Sequence, residues 1–371
     1  MAESYTIIKC SVHQLRPGFE LGESVFSPDG SGLLHAGTIL TERQIARILN
    51  YGLDSVRIRQ TVLTPEAAPE PAAEAYCEPD MAAGVSEQEN EFSGLYSRCV
   101  QDMKKCFTLI RLERHLDYAL LDTLVDSVAR LASRGIAATA LLHTLTRTED
   151  YLVHHSVNVG ILAHIIGELS GVFSLIQQRN LILAGILHDI GKLEVSSKVL
   201  YKNGALTEDE LAAVRQHPAI AFKFFSRYKE IPESVRFGVL QHHERDDGSG
   251  YPLHTNAAKN HPIAKVLGIA DVYDAMTSKK TYGQEISPFA AIDTIQADMF
   301  AGKFSPDYST PFLHELCQTL ICRYVTLSDG RTGQLVFWNR SGKENCLVRF
   351  SDGKILDVSQ QPGLKIAKLV C

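Results

Sequence analysis

Seven mostly apolar residues, Leu181 to Leu187, run directly into His188 and Asp189, and this junction constrains the chain more than any other. A run of that kind belongs to a core helix, so its polar end is expected to be buried. Burying an unpaired carboxylate costs several kcal/mol, roughly, unless a cation or hydrogen-bond donors compensate. A metal ion supplies that compensation most directly. Lys192 follows His188 by four residues and Asp189 by three, which in a continued helix brings it to the same side, although Gly191 is a candidate helix stop.

The junction has company. From Ala137 to about Leu320 apolar residues recur at helical spacing, with turns marked at Gly171, Asn203-Gly204, Ile231-Pro232 and the GSGYP segment. Between His154 and His261 this block holds nine of the chain's 14 histidines. His154 and His155 interrupt the apolar helix YLVHHSVNVGILAHII, which also carries His164; His217 lies in RQHPAIAF; His242 and His243 open HHERDDGSGYP. Asp271 interrupts KVLGIADVYDAMTS, and Asp274 follows at i+3 on the same face, placed either behind a ligand or toward a substrate. A single histidine on an apolar helix is more often a satisfied core residue than a ligand. Five such pieces in one block point to a metal site. Imidazole and carboxylate ligands suit Mn, Fe, Zn and related ions, and a carboxylate can bridge two of them. Gly248 and Gly250 allow a tight turn after His243. Tyr251 there either presents a ring or hydroxyl to a ligand or belongs to a rigid turn that fixes His242 and His243.

Around this block the chain divides by composition. Its 371 residues suffice for two or three domains of about 100 to 200 residues. Residues 1–60 alternate short apolar runs with Gly and Pro and read as a small β-rich accessory module with one helix, capped at Thr41 and stopped at Gly52. Residues 61–90, rich in Pro, Ala and Glu, read as a linker. Residues 91–320 are the helical domain. Its leading segment, Glu91 to Arg134, spaces Leu109, Leu112, Leu116, Leu120, Leu124, Val128 and Leu131 as one long amphipathic helix. Packing against the following helices is favoured over a dimer seam, because no strict heptad is sustained. Residues 321–371 form a small β appendage with Asp-Gly turns at 329–330 and 352–353, its core capped by Phe337 and Trp338.

Composition also excludes some functions. A hydrophobic fraction of 45% with 22% charged residues argues against global disorder. A net charge of -6 offers no broad field for polymeric nucleic acid, although a small anion remains open if metals supply local positive charge. No apolar stretch reaches the roughly 18 residues of a membrane span, and the first residues do not read as a signal peptide, so a cytoplasmic protein is expected. Eight cysteines without a CxxC pair signal neither a zinc ribbon nor a disulfide framework.

The ordered set HHSVNVG, ILHDIGK, LYKNGALTEDE, QHPAI, HHERDDGSGYP and IADVYDAMTS resembles the HD-GYP family of bacterial signalling phosphodiesterases, a branch of the HD hydrolase superfamily, over roughly residues 145 to 310. The triplet Gly250-Tyr251-Pro252 is intact. The resemblance implies an all-helical HD-type metallohydrolase domain, which with the small β-rich modules read from the flanking segments makes a mainly α protein. It implies metal ligands at His155, His188, Asp189, His217, His242, His243 and Asp271, with Asp189 as bridge. Two divalent transition-metal ions are expected, Fe or Mn favoured. Where some members carry a glutamate for a third ion this chain has Tyr151, which favours two.

The implied reaction is hydrolysis of cyclic di-GMP to the linear dinucleotide or GMP, by a hydroxide held between the metals attacking phosphorus. Asp189 and Lys192 are the expected catalytic residues, and Lys192, Tyr251, Asp274 and Lys280 the expected substrate contacts. The family's Arg-Pro-Tyr-Arg-like segment is here Lys279-Lys280-Thr281-Tyr282-Gly283, and lysine keeps the charge but not the planar fork that reads phosphate or guanine. Phe304-Ser305-Pro306 stands for the family's Phe-Asp-Pro. Two alternatives stay open: hydrolysis of another cyclic dinucleotide, and a catalytically slow receptor signalling through protein partners. A homodimer is a further option for the partner.

Overall fold

The computed structural model describes residues 5–11, 19–26, 32–41, 44, 48, 55–61, 87–145, 150–202, 204–278, 287–339, 345–361 and 363–370. The chain forms two compact units, Met1–Pro79 and Asp80–Cys371.

In the first unit β1 (Tyr5–Ser11) pairs antiparallel with β4 (Ser55–Thr61), from Tyr5 opposite Thr61 to Ser11 opposite Ser55. The short strands β2 (Val25–Phe26) and β3 (Gly32–Leu34) pair with each other. Leu21, Val25, Leu40, Ile48, Val56 and Ile58 make a small core of their own. Gln44 turns its side chain back onto the Thr41 backbone N–H at 2.9 Å, as a helix start requires. Most of the helix expected from Glu42 to Leu49, its stop at Gly52, and most of the expected linker lie outside the described residues; the strand before the linker runs through Thr61 and the helix after it begins by Glu87.

The second unit departs from the sequence expectation at its start. The single long helix is two, α1 (Glu87–Glu113) and α2 (Tyr118–Ala132). Arg114 takes a positive φ of 53°, and the Asp117 carboxylate caps a new helix by accepting from the Leu120 N–H at 3.0 Å. Apolar spacing runs through this break, but Leu112 is 74% exposed while Leu116 is buried in the connection. Tyr96, Met103, Leu124, Val128 and Leu131 join the core formed with the later helices, so the stripe is intramolecular packing.

Two central helices follow the short α3 (Ala138–Leu145): α4 (Tyr151–Ser170), buried along most of its length, and α5 (Leu175–Leu187). They approach closely enough that a Cβ on Gly185 would lie 2.6 Å from the Gly160 Cα. Gly171, at φ 68°, ends α4, and Ser174 starts α5 with a capping box closed by Gln177. After a 3₁₀ turn at Ile190–Glu194 come α6 (Ser197–Leu200), α7 (Glu208–Arg215), α8 (His217–Phe225) and α9 (Glu233–Gln241). The helices α10 (Pro262–Thr277), α11 (Pro288–Phe300) and α12 (Pro306–Leu320) complete the body, each with proline in its first turn, where no N–H is needed.

The C-terminal strands β5 (Tyr324–Leu327), β6 (Thr332–Asn339), β7 (Asn345–Arg349), β8 (Ile355–Asp357) and β9 (Ile366–Leu369) form one antiparallel sheet in the order β8-β7-β6-β5-β9. Both Asp-Gly turns appear, with Gly330 at φ 89° and Gly353 at φ 81°. The sheet shares the helical core: Trp338 packs on Phe289 of α11 at 5.0 Å between ring centres. Phe337, expected to cap the core beside Trp338, is instead 42% exposed, because neighbours along a strand face opposite ways. Among the described residues no helix is long and apolar enough to cross a membrane.

Candidate metal centre

Three helix ends and the sides of two helices converge on one buried point. His188 is the C-cap of α5 and Asp189 the next residue; His217 opens α8; His242 is the C-cap of α9 and His243 follows it. His155 comes from the side of α4 and Asp271 from the side of α10. All are buried except His243, which keeps a small opening. The 3₁₀ turn after Asp189 passes so close to α8 that any Cβ on Gly191 would overlap the His217 carbonyl oxygen. That contact sets Asp189 against His217.

The backbone decides which nitrogen each imidazole offers. Nδ1 of His188 donates to the Gly185 carbonyl at 2.7 Å, Nδ1 of His217 to Val214 at 2.7 Å, and Nδ1 of His242 to Val239 at 2.6 Å. A carbonyl can only accept, so each ring holds its proton on Nδ1 and turns the Nε2 lone pair inward. The same bonds occupy carbonyls that a helix end leaves without partners. His155 is anchored differently: its Nδ1 donates to Asp274 Oδ2 at 2.7 Å, and its Nε2 stands 3.1 Å from Asp271 Oδ1.

The inward atoms fit a cation and little else. His217 Nε2 and His242 Nε2 face each other at 3.2 Å, two lone pairs without a proton between them. His188 Nε2 and Asp189 Oδ1 are buried without a hydrogen-bond partner, although His217 Nε2 lies 3.2 Å from that oxygen. Asp189 Oδ2 is 3.3 Å from His188 Nε2 and 3.6 Å from His155 Nε2. Three overlapping sets could each hold an ion: His217, His242 and His243; His155, His188 and Asp271; His188, Asp189 and His242.

Electrostatics sorts the same groups. Burial, with the neighbouring histidines, holds His242 well below the usual imidazole range, and burial drives His243 down to about 3. Burial opposes ionisation of Asp189 and Asp271, but His188 and Lys192 beside Asp189, and His155 and His243 beside Asp271, hold both carboxyls well below their ordinary value. His155 goes the other way, up to about 10, because hydrogen bonds to Asp271 and Asp274 outweigh burial. A cation would take over the charge that this proton otherwise supplies.

Lys192 donates to Asp189 Oδ2 at 2.6 Å, and against burial the charges of Asp189 and Asp271 raise its pKa. Its tip borders a cleft of about 280 Å³ with Tyr151, Leu152, Tyr201, Leu206 and Val214. The Tyr151 ring stacks on His155 at 5.4 Å and 12°.

The GYP turn is explained by His243. Tyr251 stacks on that imidazole at 4.6 Å and 25°, and Arg215 lies over the same tyrosine ring at 5.5 Å. A Cβ on Gly250 would overlap the backbone of His243, Glu244 and Arg245, so only glycine lets the turn close on the histidine pair. The buried Glu244 carboxylate accepts the N–H groups of Leu253, His254 and Thr255 at 2.6, 3.1 and 3.1 Å.

All seven expected metal ligands meet at this point, with Lys192 and Tyr251 beside them. Asp274, expected among the substrate contacts, is 3% exposed and has both oxygens engaged by His155, Asn158 and Ser278, so it stands behind His155. Lys280 and its neighbours from Lys279 to Gly283 lie outside the described residues. Sequence reasoning missed Glu244, Asn158 and Tyr96. An acid in an acidic turn, and a tyrosine on a helix far away in sequence, carry no local sign of such roles.

Residues 136–306 match the family model described as HD domain. The chain is 30% identical over 257 residues to cyclic di-GMP phosphodiesterase PA4108 of Pseudomonas aeruginosa, a match covering 69% of this chain and 61% of that protein. It is 33% identical over 176 residues to a cyclic di-GMP phosphodiesterase of Thermotoga maritima, covering 47% of each. The chain thus spans about half to three fifths of these curated relatives. Among solved structures, Bd1817, a HDG"Y"P protein from Bdellovibrio bacteriovorus, superposes with a TM-score of 0.50 at 16% identity, covering 84% of this chain and 99% of that one, a likeness of fold.

Proposed function

The chain belongs to the HD-GYP family of the HD superfamily, and from that membership we propose that it is a metal-dependent phosphodiesterase hydrolysing cyclic di-GMP to the linear dinucleotide, GMP or both. One observation carries the reading: Asp189 turns one carboxylate oxygen toward His217 and the other toward His188, His155 and Lys192, among buried histidines whose free nitrogens converge. That arrangement supports two divalent transition ions, Fe or Mn by ligand type, held by His155, His188, Asp189, His217, His242, His243 and Asp271 with Asp189 between them.

When bound, such ions lower the pKa of water and neutralise phosphoryl oxygens. The protein's own groups supply the rest. Lys192 keeps its proton on Nζ at the edge of the cleft, where it offsets charge on a phosphate and can protonate a leaving oxygen. Leu152, Leu206 and Val214 line the cleft with apolar surface that displaces water, and Tyr151 and Tyr201 offer rings to a base. Tyr251 and Lys280 complete the proposed substrate contacts. The buried free thiols of Cys99 and Cys106 suit a reducing cytoplasm, where we place the protein.

The test is a timed product analysis with cyclic di-GMP on protein purified without oxygen and with its metals quantified. Turnover that tracks metal content is the expected result. Parallel reactions with other cyclic dinucleotides address the altered segment at Lys279: preference for one of them would replace the substrate named here. Tight binding with negligible turnover in metal-replete protein would replace the enzyme with a receptor.

A further inference from the structure

The adjacent histidines of α4 point to different neighbours. His155 faces the metal centre, while His154 is buried against α1, its Nδ1 2.9 Å from the Tyr96 hydroxyl and the two rings 5.7 Å apart. That hydroxyl donates to Asn158 Oδ1 at 2.8 Å, and so takes the His154 N–H as an acceptor. Asn158 Nδ2 in turn donates to Asp274 Oδ1 at 2.8 Å, and Asp274 Oδ2 accepts from His155 Nδ1 at 2.7 Å. Tyr96, His154, Asn158, Asp274 and His155 are all buried.

The bonds have one consistent direction. A carboxylate accepts only, so Asn158 must offer it the NH₂ side of the amide and leave Oδ1 for a donor. The tyrosine O–H is that donor, and it fixes the amide orientation. A carboxylate behind a metal-ligating imidazole sets its tautomer and ring orientation. The bonds therefore run without interruption from α1 to the nitrogen that His155 presents at the centre.

We propose that Tyr96 is a positioning residue of the metal centre, acting through Asn158 and Asp274 on His155. The leading helix is then part of the metal site although it supplies no ligand. This rests on the metal-centre reading given above, and the test separates the two.

Full-length protein is stripped of metal and its Mn²⁺ affinity measured by equilibrium dialysis, with the thermal midpoint of the stripped protein recorded alongside. Tyr96→Phe keeps the ring and removes the donor, and should weaken Mn²⁺ binding about tenfold, the low end of what loss of an outer partner costs. Asn158→Ala reaches the same carboxylate from α4 and should weaken binding at least as much; it also carries the test if Tyr96→Phe folds poorly. The double variant should lose little more than Asn158→Ala alone, because both act through one set of bonds. Val100→Ala trims packing from the same helix without touching these bonds, and should lower the thermal midpoint while leaving affinity unchanged. Unchanged Mn²⁺ affinity in both Tyr96→Phe and Asn158→Ala, or an equal loss in Val100→Ala, overturns the proposal. A wild-type protein that takes up no Mn²⁺ overturns the metal-centre reading itself.

Discussion

His188, His217 and His242, on the side of the centre built from α5, α8 and α9, each lean on a backbone carbonyl three residues earlier, whereas His155, on the α4 side, leans on the carboxylate of Asp274. The first anchor exists wherever the helix end exists, and no single side-chain deletion removes it. The second depends on Asp274, Asn158 and Tyr96, which arrive from three helices. One half of the site is thus fixed by local backbone geometry. The other is fixed by tertiary packing, and should be the half that substitution or movement of α1 can tune.

The largest effect should come from Asp189, which belongs to both halves. Asp189→Ala removes the carboxylate that faces His217 and His188 on one side and His155 on the other, and leaves Lys192 without its 2.6 Å partner. Metal content and phosphodiesterase activity should fall together by more than about a hundredfold, exceeding the loss expected for any outer partner. Metal analysis beside the turnover assay checks this, and retained activity would sink the two-metal scheme.

Next comes the backbone-anchored half, which only a backbone displacement should break. Gly191→Ala places a methyl against the His217 carbonyl, so the start of α8 must move. Overpacking of this kind costs about 1–3 kcal/mol, readable as a lower urea midpoint. Because His217 moves with its own anchor, metal affinity should drop in step with stability. A variant that loses stability but keeps wild-type affinity would show that this half adapts as freely as the other.

On the side-chain-anchored half, Asp274→Ala removes the acceptor for His155 Nδ1 and should weaken metal binding roughly 10- to 100-fold with the α5, α8 and α9 ligands intact. The pH profile sharpens the contrast. In metal-stripped protein Asp271 and Asp274 raise His155 to about 10, so metal must displace a proton from it, while His242 is held far below neutrality and has none to release. Metal affinity should therefore keep rising between about pH 7 and 10, beyond the ordinary imidazole range. For stability without metal the sign is opposite: a raised folded pKa stabilises fully below about 6.5 and loses that contribution as pH rises through 10. Asp274→Ala should flatten both slopes, which calorimetric titration and pH-dependent unfolding would register.

The same contrast explains what could be read from residues alone. The cluster was legible because His188, Asp189 and Asp271 sit in apolar helical runs where an unpaired polar group is costly. The i+3 spacing brought Asp274 to the right face but left open whether it stood before or behind a ligand. Its bond to His155 puts it behind that ring, and its bonds to Asn158, and through Asn158 to Tyr96, join residues 116 and 62 positions apart. No periodicity encodes such distances. The break in the leading helix was hidden for a related reason: leucine spacing continues through Leu112 and Leu116, and only the Asp117 cap and the left-handed Arg114 interrupt it. The C-terminal appendage was legible as hairpins from its Asp-Gly turns, but not the docking of Trp338 on Phe289.

The smallest expected effect lies at Tyr251, where ring and hydroxyl can be separated. The ring stacks on His243, and aromatic contacts of that kind contribute about 0.5–1.5 kcal/mol. Tyr251→Ala should therefore weaken metal binding a few-fold, by loosening His243, the one of the seven proposed ligands that keeps an opening to solvent. Tyr251→Phe retains the stack and should bind metal as the wild type does. If its turnover also matches, the tyrosine acts on His243 alone, as a third kind of anchor that uses neither backbone nor hydrogen bond. If turnover falls while metal affinity holds, the hydroxyl faces the substrate, and the turn serves ligand and reaction at once. A loss of metal affinity in Tyr251→Phe would contradict both, because the phenyl ring leaves the stacked face of His243 covered.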